Sequence, residues 1–354
     1  MTATHPALRT PLCDLLGIRY PIVQTGMGWV SGPELTAATS AAGGFGILAA
    51  ATMSMAELRA AIDGVRSRTD APFGVNLRAD QPDIGERLDL LIAERVRLAS
   101  FALAPRRELV DRLHEGGVLV MPSIGAKRHA EKVAGWGVDA VLVQGGEGGG
   151  HTGPVPTSLL LPQVVDTVDI PVVAAGGFFD GRGLVAALAY GASGIAMGTR
   201  FLLTSDCTVP QRVKDLYLAK SVLDTVVTTQ VDGVPHRVLR SDLVDELETA
   251  GEVRRLARAV RSAAAYRRLS GTTWRAMLRE GAAMRQRQEL SWSQVLMAGN
   301  TPVLLRAAMV DGRPDLGVMA SGQVVGVIDD LPSCAELVTR IVTEATQTLE
   351  RLAP

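Results

Sequence analysis

The sequence predicts an eight-stranded β/α barrel. Three observations carry that expectation. Eight short apolar runs recur between residues 21 and 201, helix signals fill the intervals, and glycine-rich turns follow the later runs.

The runs are Pro21–Met27, Phe45–Ala50, Phe73–Leu77, Leu98–Leu103, Val118–Ile124, Asp139–Gln144, Ile170–Ala175 and Gly194–Phe201. They are near-continuous rather than alternating, as parallel strands are when both faces are covered. Each lies about one βα unit from the next, and eight such units close a barrel. An open doubly wound sheet is the alternative, because strand order is not written in the runs.

Helix signals separate the runs. Ser31 with Glu34, and Ser54 with Glu57, have capping-box spacing. Pro33 suits a first helical turn, and Gly43-Gly44 suits a helix end. After the eighth run the pattern changes. Thr225–Leu239 reads as a hairpin turned at Asp232-Gly233, and Val253–Arg268 as an Arg-rich helix. Ser333–Leu352 reads as the last barrel helix, with Leu337, Ile341, Ala345 and Leu349 on one face. The expected domains are a barrel over 1–207 and 302–354 and a small, mostly helical, substrate-covering insert over 208–301.

Composition narrows the function classes. The 354 residues are 47% hydrophobic and 21% charged, which suits a large buried core. A net charge of −1 gives no overall attraction to nucleic acid or a membrane. Cys13, Cys207 and Cys334 lie far apart, with neither a disulfide framework nor metal spacing, as in a reducing cytoplasm. Prolines and charges interrupt the first 21 residues where a signal peptide needs an apolar core. No apolar run approaches the roughly twenty residues of a bilayer span. The expectation is a cytoplasmic enzyme with a small-molecule partner; a homodimer is compatible with the sequence but not specified by it.

In a β/α barrel, ligands bind where strands release their loops. After the sixth run comes Gly145-Gly146-Glu147-Gly148-Gly149-Gly150-His151. Five of the six positions before His151 lack a side chain, so the backbone can approach a flat ligand closely. A histidine at such a strand exit is the candidate proton-handling residue. Glycine runs alone also occur in plain loops. Gly176-Gly177 after the seventh run and Gly198-Thr199 in the eighth offer main-chain N–H groups to a phosphate, with a helix starting near Asp180. His114 reads as a helix C-terminal residue, His129 as surface and His5 as tail. His236, in the insert, is within reach of a substrate. No nucleophile–histidine spacing and no carboxylate–histidine cluster with ligand spacing stands out, so no metal is expected.

The segments QTGMGW (Gln24–Trp29), AGGFGILA (Ala42–Ala49) and GVNLR (Gly74–Arg78) continue with QGGEGGGHTG (Gln144–Gly153), IPVVAAGGFFDGRG (Ile170–Gly183) and AMGTRF (Ala196–Phe201). In this order, over nearly the whole chain, they resemble the nitronate monooxygenase (2-nitropropane dioxygenase-like) flavoprotein family. A class of FMN-dependent enoyl-acyl-carrier-protein reductases shares the scaffold. The resemblance implies FMN, its phosphate on Gly176, Gly177, Gly198 and Thr199. It implies an isoalloxazine against Gly26, Met27 and Gly28, near Asn76 and Gln144 and the Gly149-Gly150 loop, with His151 facing the substrate. Gln323 would close the phosphate side.

Two departures set the chain apart from the family pattern. It has Gln24-Thr25-Gly26-Met27 where nitronate monooxygenases typically read QxPM, and Arg200 where they tend to have a small residue. Both argue against nitroalkane chemistry and leave the flavin site intact. Through VDGVPHRVLR, ELSWSQVLMAGNTP and DDLPSC the resemblance extends to actinobacterial flavoenzymes of steroid breakdown. That implies α,β-dehydrogenation of a hydroxy-methyl-indanone carboxyl-CoA thioester, with His151 as base and NAD as final acceptor. The alternatives are a nitronate monooxygenase using O2, an enoyl-thioester reductase, and a non-catalytic flavin-binding protein. For the CoA phosphates, Arg78, Arg106 and Arg107 are the expected contacts, with Lys127, Arg128 and the insert's Arg254, Arg255, Arg258 and Arg261 in support. Each of these also reads as an ordinary solvated cation.

Overall fold

The computed structural model describes residues 5–102, 104–249 and 300–353. The expected barrel is present and closed. Its strands are β1 (Ile22–Gln24), β2 (Phe45–Ala49), β3 (Phe73–Leu77), β4 (Leu98–Phe101), β5 (Leu119–Ile124) and β6 (Val141–Gln144), then, after the short β7 (Gly150–His151), β8 (Val172–Ala175) and β9 (Gly194–Met197). The eight barrel strands run parallel, and β1 pairs with β9 in the register Ile22↔Ile195, which shuts the ring and removes the open-sheet alternative.

Strand alternation splits the core in two. Val23, Phe45, Ile47, Leu142, Val173 and Ala175 point inward and pack with Leu12 and Leu16, which come from α1 (Pro11–Leu16), the helix preceding the first strand. Their neighbours Ile22, Leu48, Val143, Val172 and Ala174 point outward into the larger core beneath the helices. The N-terminal end of the barrel is thereby filled with side chains, which leaves the C-terminal end for a ligand.

The helices follow sequence cues with two corrections. On α3 (Met55–Arg66), Ser54 and Glu57 form the capping box in full. Ser31 does not cap α2 (Pro33–Ala41); the N-cap is Gly32. The Ser31 hydroxyl instead donates to the Thr25 carbonyl at 2.9 Å and accepts the Met27 N–H at 2.9 Å, shaping the loop after β1. The eighth apolar run is also shorter as a strand than it reads, because Thr199–Leu202 turns into a short helix immediately after Gly198. The last helix spans Cys334–Leu352 behind an Ser333/Glu336 capping box and buries Leu337, Ile341 and Ala345, with Leu349 packed alongside.

The 225–239 hairpin is real: β10 (Thr225–Thr228) pairs antiparallel with β11 (His236–Leu239). β7 adds a third strand, in the register His236↔His151 and Arg237↔Gly150. Around this ribbon Val231, Val238, Val244, Leu247, Leu304 and Val318 form a separate small core. Leu304 lies on a helix (Asn300–Met309), here termed the wall helix. Most of the expected helical part of the insert, with Arg254, Arg255, Arg258 and Arg261, lies outside the described residues. Among the described residues no helix is long and apolar enough to cross a membrane.

Candidate active site

A cavity of about 480 Å³ opens at the C-terminal mouth of the barrel, a size typical of cofactor and substrate pockets. Gly26, Met27 and Gly28 line it from the loop after β1, and Asn76 from the end of β3. Gln144, Gly149, Gly150 and His151 line it from β6 and the glycine loop, and Gly176, Gly177, Gly198 and Thr199 from the ends of β8 and β9. His236 faces it from β11, and Thr301, Leu305 and Met309 close it from the wall helix.

Local sequence explains these placements. Gly176 and Gly177 sit at φ +97° and +82°, a region that costs glycine nothing and other residues dearly. At Gly149 a Cβ would stand 2.5 Å from the Ser321 backbone, so the loop and the 321–322 segment can meet only without a side chain there. The Gln144 amide nitrogen bonds the carbonyls of His151 (2.9 Å) and Gly149 (3.4 Å), pinning the glycine loop from inside the barrel. Arg237 holds the same loop from the ribbon, with two N–H groups on the Gly146 carbonyl at 3.1 and 2.9 Å.

The helix expected to supply positive potential near Asp180 is already satisfied by the protein. The Asp180 side chain caps Gly183 N–H and Glu344 accepts Gly181 N–H, so these carboxylates offset the dipole. Glu147 does the same at the helix Thr157–Val165, accepting Thr157 N–H at 2.9 Å and its hydroxyl at 2.8 Å. At β9, Gly322 N–H donates to the Thr199 hydroxyl at 2.9 Å, leaving the Thr199 proton to serve a ligand oxygen. Among the described lining residues there is no lysine or arginine.

The expected substrate arginines stand apart from the cavity. Arg78 is engaged with Asp80 at 3.0 and 2.8 Å, and Arg107 faces Asp111 at 3.9 Å on an exposed helix turn. Arg106 is exposed at that helix's N-cap. None of the three lines the cavity. Gln323 does not line it either; its neighbours Gly322 and Val324 do, while Gln323 N–H bonds the Glu147 carbonyl. Arg200 is buried in a structural role, bonded to Asp330 at 2.8 Å.

The sequence reading missed a cluster. His151 Nε2 lies 2.7 Å from Asp232 Oδ2, and His236 Nδ1 lies 3.8 Å from the same oxygen. The three ligand-type atoms fall within 4.8 Å of one another, so a carboxylate–histidine cluster does exist, contrary to expectation. The four-residue spacing of Asp232 and His236, at the end of the hairpin's seven-residue connection, was the available signal. Burial would raise the Asp232 carboxyl, but the imidazoles of His151 and His236 and the Thr301 hydroxyl outweigh it and hold it far below the usual range. Burial lowers the proton affinity of His236.

The family model for nitronate monooxygenases matches residues 9–89 and 84–344. The chain belongs to the nitronate monooxygenase family. It is an oxidoreductase, and two relatives align with it almost end to end. It is 62% identical to the (3aS,4S,5R,7aS)-5-hydroxy-7a-methyl-1-oxo-octahydro-1H-indene-4-carboxyl-CoA dehydrogenase of Mycobacterium tuberculosis, over 97% of this chain and 98% of that one. It is 58% identical to the protein of the same name from Rhodococcus jostii, over 98% of both chains. Among solved structures, FabK from Thermotoga maritima superposes with a TM-score of 0.79 at 34% identity, covering 97% of this chain and 98% of that one. The family match spans both the ribbon and the wall helix of this chain.

Proposed function

We propose that this protein is an FMN-dependent dehydrogenase that introduces an α,β double bond into a steroid-derived hydroxy-methyl-indanone carboxyl-CoA thioester, with His151 as base. The observation that carries the reading is the end-to-end likeness to two dehydrogenases of such a thioester, ribbon and wall helix included. The cavity supports FMN on its own terms. Gly176, Gly177, Gly198 and Thr199 present a side-chain-poor cradle for a phosphate, to be held by main-chain N–H groups and one hydroxyl rather than by a cation. At Gly26 a Cβ would stand 2.4 Å from Asn76 Cβ, so the loop after β1 lies directly against Asn76, and Gly28 borders open space for a flat ring system.

Bound there, a flavin supplies a two-electron acceptor for the β-hydride. His151 receives the α-proton, which the thioester carbonyl acidifies. The electron pair of the α C–H bond becomes the new double bond as the β-hydride departs, and NAD is the final acceptor. Leu305, Met309 and Val234 provide apolar contact for a hydrocarbon ring and exclude water from the reacting carbons.

Anaerobic mixing of the flavin-loaded protein with the CoA thioester should bleach the flavin absorbance, and NAD should restore it. Bleaching by propionate 3-nitronate alone, with O2 consumption and no need for NAD, would establish the nitronate monooxygenase reading instead. A protein that takes up no flavin would end both.

A further inference from the structure

Three elements converge on one carboxylate. Asp232 Oδ2 lies 2.7 Å from His151 Nε2 on the glycine loop and accepts the Thr301 hydroxyl of the wall helix at 2.7 Å. Its other oxygen accepts the Val234 N–H at 3.2 Å, within its own turn. Asp232 is 6% exposed at the side chain, whereas His151 is 55% exposed and borders the cavity. Behind His151 lies His236, its ring centroid 4.6 Å away, with neither nitrogen hydrogen-bonded and 2% exposure.

We propose that Asp232 is the positioning residue of His151, holding the hydrogen on Nε2 so that Nδ1 is the nitrogen that takes the substrate proton. This deepens the reading of His151 as base and rests on it. An ionised carboxylate only accepts, so the 2.7 Å contact requires the donor to be Nε2–H. A neutral imidazole carries one hydrogen, which leaves the lone pair on Nδ1. Thr301 and Val234 fix the carboxylate in turn, so the direction of the imidazole is set by the ribbon and the wall helix together.

His236 completes the arrangement as a neutral neighbour. Buried against His151 in strand register, it packs the imidazole from behind without adding a positive charge. The other charged groups near the loop are committed elsewhere. Glu147 is bonded to Thr157, and Arg237 to the Gly146 carbonyl and Thr225. Among the described residues Asp232 is therefore the one carboxylate bonded to His151.

The test reads the tautomer directly, by nitrogen-15 NMR of the flavin-loaded protein with labelled histidine. Five histidines give few signals, and His151→Asn assigns the one that matters. Neutral His151 should carry its hydrogen on Nε2 in the native protein and in Asp232→Glu. In Asp232→Asn the amide can donate to Nε2, and the hydrogen should move to Nδ1. Flavin reduction at saturating thioester should fall about 100-fold in Asp232→Asn with KM changed less than about 3-fold, and recover partly in Asp232→Glu. An Nδ1–H tautomer in the native protein, or undiminished flavin reduction in Asp232→Asn, overturns the assignment. If no thioester reduces the native flavin, the substrate reading fails, while the tautomer of the native protein still decides the role of Asp232.

Discussion

Burial decides which of the two facing imidazoles can exchange protons. His236 is 2% exposed and its burial lowers its proton affinity, whereas His151 is half open to the cavity. Glutamine at position 151 keeps polarity and size but cannot accept a proton, so His151→Gln should retain flavin and lose about 10²–10⁴-fold in thioester-driven turnover. Stopped-flow absorbance checks both. Burial also governs the thiols. Cys13, Cys207 and Cys334 are all buried, and desolvation pushes Cys334 up to about 12. A thiol group whose folded pKa lies above its unfolded value of about 8.5 favours the fold below that pH and loses this advantage as pH rises toward 12. Native protein should therefore resist thiol reagents at pH 8, and its Tm should decline above about pH 9. At this scale His151 and the glycines were legible because they follow a strand in one contiguous stretch. Asp232 was not, since an Asp-Gly pair reads first as a turn, and its partner lies 81 residues away.

Each secondary element near the mouth holds another by a few directed bonds. Arg237 on β11 carries three of these, two N–H groups on the Gly146 carbonyl and a third on the Thr225 hydroxyl. Arg237→Met keeps the stem and removes the bonds, so it should cost about 2 kcal/mol of stability and slow turnover by loosening the loop that bears His151. Thermal denaturation and kcat measured together would expose a role limited to the surface. The strands were readable because burial on both faces writes a continuous apolar string. Two element ends were not. Ser31 has capping-box spacing yet shapes the preceding loop, because Gln24, buried beneath it, donates to its hydroxyl at 2.8 Å. Thr199–Leu202 is apolar enough to read as strand, but Gly198 ends the strand and opens a helical turn.

At the scale of the molecule, the cavity lacks cations among its described lining residues, so among those residues a grip on CoA phosphates would fall to the rim. Arg106 and Arg107 stand exposed just after β4, on the same end of the barrel as the cavity. Reversing both to glutamate should raise KM for the CoA ester and leave a pantetheine thioester, which lacks the nucleotide, unaffected. An unchanged KM for the CoA ester would place the CoA elsewhere. The barrel was legible as a count of repeats. How the ribbon and wall helix roof it was not, because that depends on contacts between residues far apart in the chain.

Leu12 and Leu16 stopper the far end of the barrel together with the inward strand residues. Among the described residues the cavity is closed at that end and lined by the ribbon at the other. Under the proposed function, acyl product and nicotinamide would share the approach on the ribbon side, so the two co-substrates should take turns. Steady-state velocities should give parallel double-reciprocal lines, each co-substrate competing with the other at high concentration; intersecting lines would mean that both fit inside at once.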